Sequence, residues 1–236
     1  LGGGINSIKR NSWYPTRSVG VYTAVGYDWL YDYPGFAQAL KDEVKGQLEL
    51  WTDGVWDPTI NTVQWAVNDV SNNYFWGHMN MTIRAGYSLY GDSSKAQGYI
   101  DLVRNKFETQ ARSFLSTQGA GGDWLEGTNY NSSHYIFDFL APIKTATGED
   151  LFSDPNFTFL REAVLYWLYV NVPPLGQDVF PIGDQSQGVY QGLFTAGSFL
   201  KMASAYLTGS EASYAKYFTD NATVYSAYRV SNFSKF

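Results

Sequence analysis

The stretch GFAQALKDEVKGQLELWT, residues 35–52, carries the pattern that decides the fold class. Phe36, Leu40, Val44 and Leu48 recur at intervals of four residues, with charged residues between them. On an α-helix this spacing gathers the apolar side chains on one stripe and leaves the charges on the opposite face. The sequence therefore predicts an amphipathic helix here.

The rest of the chain repeats this alternation of helix and break. Glycine and proline punctuate the apolar segments, as in the YPG before residue 36 and the paired prolines at 173 and 174. In the first segment we expect Ser18 to cap the helix and Val21, Val25 and Trp29 to form its buried stripe. The predicted helices, besides 35–52, cover residues 18–32, 72–91, 95–116, 129–147, 156–171, 187–207 and 209–227.

Strand signals are few, and DVFPI, residues 178–182, is the best of them. The chain is therefore predicted to be mainly α, built from antiparallel helical hairpins. No repeat with a fixed period is visible, which disfavours a solenoid, and hairpins of unequal length suit an incomplete (α/α) toroid. We expect one toroid-like domain over residues 1–236.

Composition restricts the function classes. The net charge of −6 disfavours a general nucleic-acid binder. The absence of cysteine excludes disulfides, thiolate metal sites and a cysteine nucleophile. Aromatic residues make up 18% of the chain, enough to supply both a core and faces that stack on sugar rings. No apolar run approaches the length of a membrane helix.

One sequence feature bears on cellular location. The sequence shows no signal-peptide pattern, yet it contains five Asn-x-Ser/Thr sequons. We expect a periplasmic or extracellular protein on that basis. The sequons begin at Asn80, Asn131, Asn156, Asn221 and Asn232.

Nucleotide-binding and serine-hydrolase signatures are missing, and three polar stretches remain. The first is a helix with His78, Asn80 and Arg84. The second, residues 121–139, and the third, around Asp184, follow glycines. Each has a plain structural alternative: a capped helix with a partly buried histidine, an aromatic core helix, and an aspartate that stabilises a turn.

The second stretch is the richest in chemistry. Glu126, Asn129, Tyr130 and His134 lie within nine residues and follow Trp124. Tyr130 and His134 are four residues apart, so on one continuous helix they would share a face.

Taken in order, these stretches resemble the helical domain of the heparinase II/III-like polysaccharide lyases. The segments that carry the resemblance are AVGYDWLYD at 24–32, GHMNMTIRAGYSLYGD at 77–92, GGDWLEGTNYNSSHYIFDFLAPIKTATGEDLF at 121–152 and VFPIGDQ at 179–185. The resemblance covers roughly residues 18–190 and lies in the order of the motifs more than in any one of them.

The resemblance implies an (α/α) toroid and cleavage of a uronic-acid polysaccharide by β-elimination. It assigns Tyr130 as catalytic acid, in some members also base, and His78 as base or carboxylate neutraliser. We expect substrate-binding or supporting roles for the remaining candidates. These are Glu126, Asn80, Asn129, His134, Arg84 and Trp124.

The chain also departs from the family pattern. Gly77 stands before His78 where an asparagine is usual, and the β-sandwich that normally follows the toroid is missing. The chain is therefore expected to be part of a longer lyase architecture, with an acidic polysaccharide and a β-sandwich domain as partners. No cofactor is predicted, although an Asp-based divalent-cation site stays open.

Two further functions are compatible with the sequence. The first is a non-catalytic glycan-binding or surface-structural domain that kept the helical hairpins. The second is a helical-toroid glycoside hydrolase that uses paired carboxylates such as Glu126 and Asp184.

Overall fold

The computed structural model describes residues 9, 12–172, 178–180, 182 and 189–222, and these residues are mainly α-helical. The backbone contacts group the chain into two compact units. Unit 1 comprises residues 1–111 and 145–147, and unit 2 comprises residues 112–144 and 148–236. The two units are described separately below, and the single-domain expectation stays a prediction.

The described part of unit 1 includes a 3-10 turn that is followed by five helices. The 3-10 turn is Tyr14–Arg17. The helices are α1 Val19–Leu30, α2 Gln38–Trp56, α3 Trp65–Asn68, α4 Asn73–Ser88 and α5 Ala96–Lys106.

The apolar stripe of α2 is confirmed in its second half. Val44 and Leu48 are buried, but Leu40 in the first turn is 43% exposed. Trp51 and Val55 extend the buried stripe towards the end of the helix. The helix therefore buries the i, i+4 pattern expected of an amphipathic segment, displaced by about one turn.

The expected stripe of α1 is wrong. Its buried residues are Gly20, Ala24 and Tyr27, whereas Trp29 is 69% exposed. The buried face holds small residues because α1 packs closely on α4: a Cβ on Gly20 would lie 2.4 Å from Met81 Sδ. Ser18 does not cap the helix either, since its hydroxyl donates to Pro15 O at 3.3 Å.

Helix α4 forms the centre of unit 1. It packs against the 3-10 turn and against α1, α2, α3 and α5, so it is buried around most of its circumference from Phe75 to Gly86. A Cβ on Gly86 would lie 2.6 Å from Ile100 Cγ1, which shows how closely α5 approaches. The helix ends at Ser88 with Leu89 as its C-cap, and Gly91, with a φ of 91°, lies two residues beyond that cap.

A π-helical turn, Phe107–Ala111, follows α5. A π turn holds one more residue than an α turn, so it shifts the buried face by one position. The apolar spacing of residues 95–116 predicts a stripe of Ile100, Val103, Phe107, Ala111 and Phe114, but Leu115 is fully buried and Phe114 only half-buried. Two ordinary α-helical turns from Phe107 lead to Phe114, seven residues on, whereas the π turn moves the buried position to Leu115, eight residues on.

The described part of unit 2 contains six helices, a short 3-10 segment and a small hairpin. The helices are α6 Arg112–Thr117, α7 Gly127–Tyr130, α8 Ser133–Thr147 (whose last three residues group with unit 1), α9 Phe159–Tyr169, α10 Val189–Tyr206 and α11 Ser210–Asn221. The 3-10 segment is Leu151–Ser153, and the strands are β1 Asn171–Val172 and β2 Asp178–Val179.

The predicted strand at 178–182 is present but short. β2 pairs antiparallel with β1, with Asn171 opposite Val179 and Val172 opposite Asp178. Phe180 N also donates to Val170 O. The ladder is brief, which agrees with the proline that follows Phe180 in the sequence.

Stacked aromatic rings fill the core of unit 2. The ring of Phe152 stacks on Phe137 at 5.6 Å and on Tyr206 at 4.8 Å between centroids. Phe199 meets the edge of Phe137 at 5.2 Å. Much of the high aromatic content therefore serves packing in this unit.

Candidate functional site

His78 is held at the centre of unit 1 by the start of α4. Asn72 caps this helix, accepting the backbone N–H of Tyr74 on its side-chain oxygen at 2.9 Å. One and a half turns later His78 faces the 3-10 turn, and its side chain is only 1% exposed. A buried polar ring needs hydrogen-bond partners within the protein, because it no longer bonds to water.

The hydrogen bonds of Thr16 fix the tautomer of His78. The Thr16 hydroxyl lies 2.7 Å from Trp13 O, which can only accept, and 2.8 Å from His78 Nδ1. Since the hydroxyl has one proton and gives it to Trp13 O, it accepts from Nδ1–H. Nε2 therefore carries a lone pair, and it has no hydrogen-bond partner among the described residues.

The surroundings keep this histidine neutral. Burial, followed by the positive charge of Arg17, lowers the pKa of His78 from 6.5 to about 3. Both causes act against the imidazolium, because a buried charge loses hydration and a nearby cation repels it. At neutral pH the ring is a hydrogen-bond acceptor at Nε2 and carries no charge.

Gly77 admits Arg17 to this region. A Cβ at position 77 would lie 2.4 Å from Arg17 Cβ and 3.3 Å from its Cδ. Such a contact is far inside van der Waals distance, so no side chain fits there with the turn in place. Glycine at position 77 thus has a structural reason: the stem of Arg17 occupies the space that a side chain would need.

The other two polar residues of this helix differ in burial. Asn80 is 2% exposed, and its Oδ1 lacks a hydrogen-bond partner in the described part of the chain. Arg84 is half-buried.

Burial also removes Asn80 from use as a glycosylation acceptor in the folded protein, and the same holds for Asn131, which is 2% exposed. Asn156 and Asn221 are exposed, and Asn232 lies outside the described residues.

The Glu126–Tyr130 segment forms one short helical turn in unit 2. Gly127, with a φ of 78°, opens α7 after Glu126, and Thr128 N donates to Ile182 O at 3.0 Å. Glu126 is half-buried, whereas the side chains of Asn129 and Tyr130 lie outside the described residues. The backbone therefore places Tyr130 at the last residue of α7.

The expectation of one continuous helix over residues 129–147 is wrong. Asn131 takes a ψ of 117°, which ends α7, and its Oδ1 accepts from Ser133 N at 2.9 Å, where α8 begins. This break removes the i, i+4 relation between Tyr130 and His134. His134 is half-buried and packs on the adjacent ring of Tyr135 at 4.1 Å between centroids.

Trp124 lies in the core of unit 2. It is 2% exposed and meets the ring of Phe159 at 6.2 Å. In this conformation its faces are covered by protein, so the ring packs as core.

Three residues near His78 carry no sequence signal. Thr16, which orients the imidazole, is 62 positions away along the chain. Tyr14 and Tyr74 also lie beside Arg17, and their sequence contexts are ordinary. Only the packing of the 3-10 turn on α4 reveals them.

Asp184, the second carboxylate of the hydrolase alternative, lies outside the described residues.

Among the residues that the structure does describe, no group of three or more His, Asp or Glu side chains is placed to hold a metal ion. Over those same residues, no helix is both long enough and apolar enough to cross a membrane.

The comparisons with known proteins add no family to this picture. The chain matches no protein-family model, no curated protein and no solved structure.

Proposed function

We propose that this chain is the helical part of a polysaccharide lyase that cleaves a uronic-acid polymer by β-elimination. The observation that carries the proposal is His78: a neutral, buried imidazole whose Nδ1–H is bound by Thr16 and whose Nε2 lone pair has no partner among the described residues. A proton acceptor held in one orientation suits a general base. The proposal includes the toroid architecture and a periplasmic or extracellular location.

The reaction needs three groups. A base removes the proton on C5 of the uronate, and the electron pair of that C–H bond forms the C4–C5 double bond. The C4–O4 bond breaks, and an acid protonates O4 as it leaves. A cation or donor at the carboxylate makes the C5 proton acidic enough to remove.

The tautomer selects among the two roles open to His78. To neutralise a carboxylate, its Nε2 would need a proton, yet burial and Arg17 lower the pKa to about 3. As a base, Nε2 needs only its lone pair, which is present at neutral pH. We therefore assign His78 as base and Tyr130 as acid.

The low pKa also has a cost. An imidazole that binds protons weakly drives proton removal less, and the imidazolium formed would be destabilised by Arg17 unless an anionic substrate lies between them. A uronate carboxylate beside Arg17 would offset that repulsion. His78 can thus act as the base only when the substrate carboxylate offsets the repulsion between the imidazolium and Arg17.

An activity panel tests the proposal. Heparin, heparan sulfate, chondroitin, hyaluronan, alginate and ulvan are incubated with the protein, with and without a chelator, and the unsaturated product is followed by ultraviolet absorbance. We expect activity on at least one polymer. His78→Gln and Tyr130→Phe should each lower kcat by about 10²-fold or more.

Tyr217→Phe is the matched control for loss of a tyrosine hydroxyl. Tyr217 is 62% exposed on α11, so its substitution should leave kcat unchanged. Absence of product on every polymer, or full activity of Tyr130→Phe, would refute the lyase assignment. Products without a double bond would point instead to a hydrolase.

The burial of His78 favours one alternative, a non-catalytic glycan-binding domain. A side chain that is 1% exposed offers no surface to a substrate in this conformation. If the panel gives binding but no product, and His78→Gln leaves that binding unchanged, the alternative replaces the lyase assignment.

A further inference from the structure

Arg17 lies in a cluster of aromatic rings at one surface of unit 1. The rings of Tyr14 and Trp65 each meet the edge of Tyr74, at 5.4 Å and 5.2 Å between centroids. They come from the 3-10 turn, the first residue of α3 and the first turn of α4. Tyr74 in turn meets the ring of His78 at 6.3 Å, so the cluster adjoins the proposed base.

The guanidinium of Arg17 stacks on this cluster. Its Cζ lies 3.5 Å from the centroid of Tyr14 and 5.8 Å from that of Tyr74. Its stem lies against the bare backbone of Gly77. A stacked guanidinium keeps its N–H donors in its own plane, where they can hold a carboxylate through two parallel hydrogen bonds.

The cluster is open to solvent. Tyr14 is 38% exposed and Trp65 is 47% exposed, in contrast to the fully buried Phe75 on the same helix as Tyr74. Partly exposed aromatic rings beside a cation suit a ligand that has both an apolar ring face and an anionic group. A uronate sugar has both.

In its neutral tautomer His78 cannot bind the uronate carboxylate, so another residue must do so. Its only N–H is bound by Thr16, so in this tautomer it has no donor for an anion. We propose that Arg17 binds the carboxylate of a uronate residue, and that Tyr14 and Trp65 contact the sugar ring. The binding itself is independent of catalysis, but its role in acidifying C5–H rests on the proposed function.

Direct binding tests the proposal. Alginate, hyaluronan and chondroitin octasaccharides are each titrated calorimetrically in native form and after chemical reduction of the carboxylates to alcohols. Tyr130→Phe serves as the parent protein, so that no substrate is consumed. The parent should bind at least one native oligosaccharide more tightly than its reduced form.

Substitutions then test whether Arg17 causes the tighter binding of the native oligosaccharide. Adding Arg17→Gln should weaken binding of the native form by about tenfold or more and abolish the preference. Lys45→Gln, which also removes one positive charge from unit 1 but from a lysine that pairs with Asp42, should keep it. Trp65→Ala should weaken native and reduced forms alike, because stacking does not sense the carboxylate.

Three results would overturn the proposal: a preference that survives Arg17→Gln, equal binding of native and reduced forms by the parent, or no binding of any oligosaccharide. If Arg17→Gln fails to fold by circular dichroism, Arg17→Lys replaces it. The lysine cannot form the paired hydrogen bonds, so an undiminished preference in that variant would be contradictory.

The binding and activity results are separable. A preference that depends on Arg17, without any unsaturated product from the wild-type protein, would refute the lyase and retain the carboxylate site. Elimination activity that is insensitive to Arg17→Gln would retain the lyase and refute a role for Arg17 in acidifying C5–H.

Discussion

At the scale of the single residue, His78 shows how a polar group is made neutral and directional. Thr16 uses its one proton on Trp13 O and so must accept from Nδ1. Burial and the charge of Arg17 then disfavour a second proton on the ring. The same two facts that define a proton acceptor also make His78 a source of pH-dependent stability.

We expect acid to destabilise the protein through His78. The pKa is about 3 in the folded state and about 6.5 in the unfolded state, so between these values the unfolded chain binds a proton that the folded protein does not. Stability is thus fully present well above pH 6.5 and falls as the pH is lowered. From pH 7 to pH 5 the loss due to His78 should be about 2 kcal/mol.

Urea unfolding at the two pH values measures this loss. His78→Gln removes the titrating group, so its own loss between pH 7 and pH 5 should be smaller than that of the wild type by about 2 kcal/mol. His134→Gln, which retains His78, should keep the part of the loss that is due to His78. Equal losses in wild type and His78→Gln would show that the histidine is not kept neutral by the fold.

At the scale of the element, the contact between the 3-10 turn and α4 depends on Gly77. A side chain there would meet Arg17 Cβ, an atom fixed close to the backbone, so the whole turn would have to shift. Gly46, in the middle of α2, offers the matched case. It is also a helical glycine, but a Cβ added there would meet no atom within 4 Å outside its own stretch of helix.

Alanine substitution should therefore act in opposite directions at these two glycines. Gly77→Ala should destabilise by about 1–3 kcal/mol, because the overlap outweighs the gain in helix propensity. Gly46→Ala should stabilise by up to about 1 kcal/mol, because it lowers the entropy of the unfolded chain. Chemical denaturation of both variants checks this, and a stabilised Gly77→Ala would contradict the close approach of Arg17.

The helices show which sequence patterns are reliable. The stripe of residues 35–52 is confirmed in its second half, where Val44 and Leu48 keep the constant spacing of four residues. The stripe of residues 95–116 loses its register after Ala111, because the π turn adds one residue. The helix expected over 129–147 breaks at Asn131, whose side chain bonds to the backbone of Ser133 in place of continuing the helical turn.

At the scale of the whole molecule, the division into two units predicts that damage to one unit stays local at first. Gly122 lies in unit 2 with a φ of 81°, and a Cβ there would lie 2.3 Å from both Cα and N of Ala163. Gly121 has a similar φ of 86° but open space around it. Comparing substitutions at Gly121 and Gly122 therefore separates the cost of a left-handed backbone from the cost of steric overlap with Ala163.

We expect Gly121→Ala to cost about 1–2 kcal/mol, the usual cost of a left-handed conformation for an L-residue. Gly122→Ala should cost several kcal/mol more, since backbone atoms cannot yield as a flexible side chain can. Hydrogen exchange should show protection lost in residues 112–144 and 148–172 before residues 12–111. Equal effects of the two variants, or uniform loss of protection, would be inconsistent with this structure.

The sequence by itself determined that the protein is mainly α and where most of its helices lie, because apolar periodicity and breaking residues act over short distances. It also singled out His78, one of two histidines, in a polar stretch with Asn80 and Arg84 on a predicted helix. Only the tertiary structure decided that Thr16 fixes its tautomer and that Arg17 fills the space over Gly77. Those contacts join residues about sixty positions apart, and packing, which no local pattern encodes, brings them together.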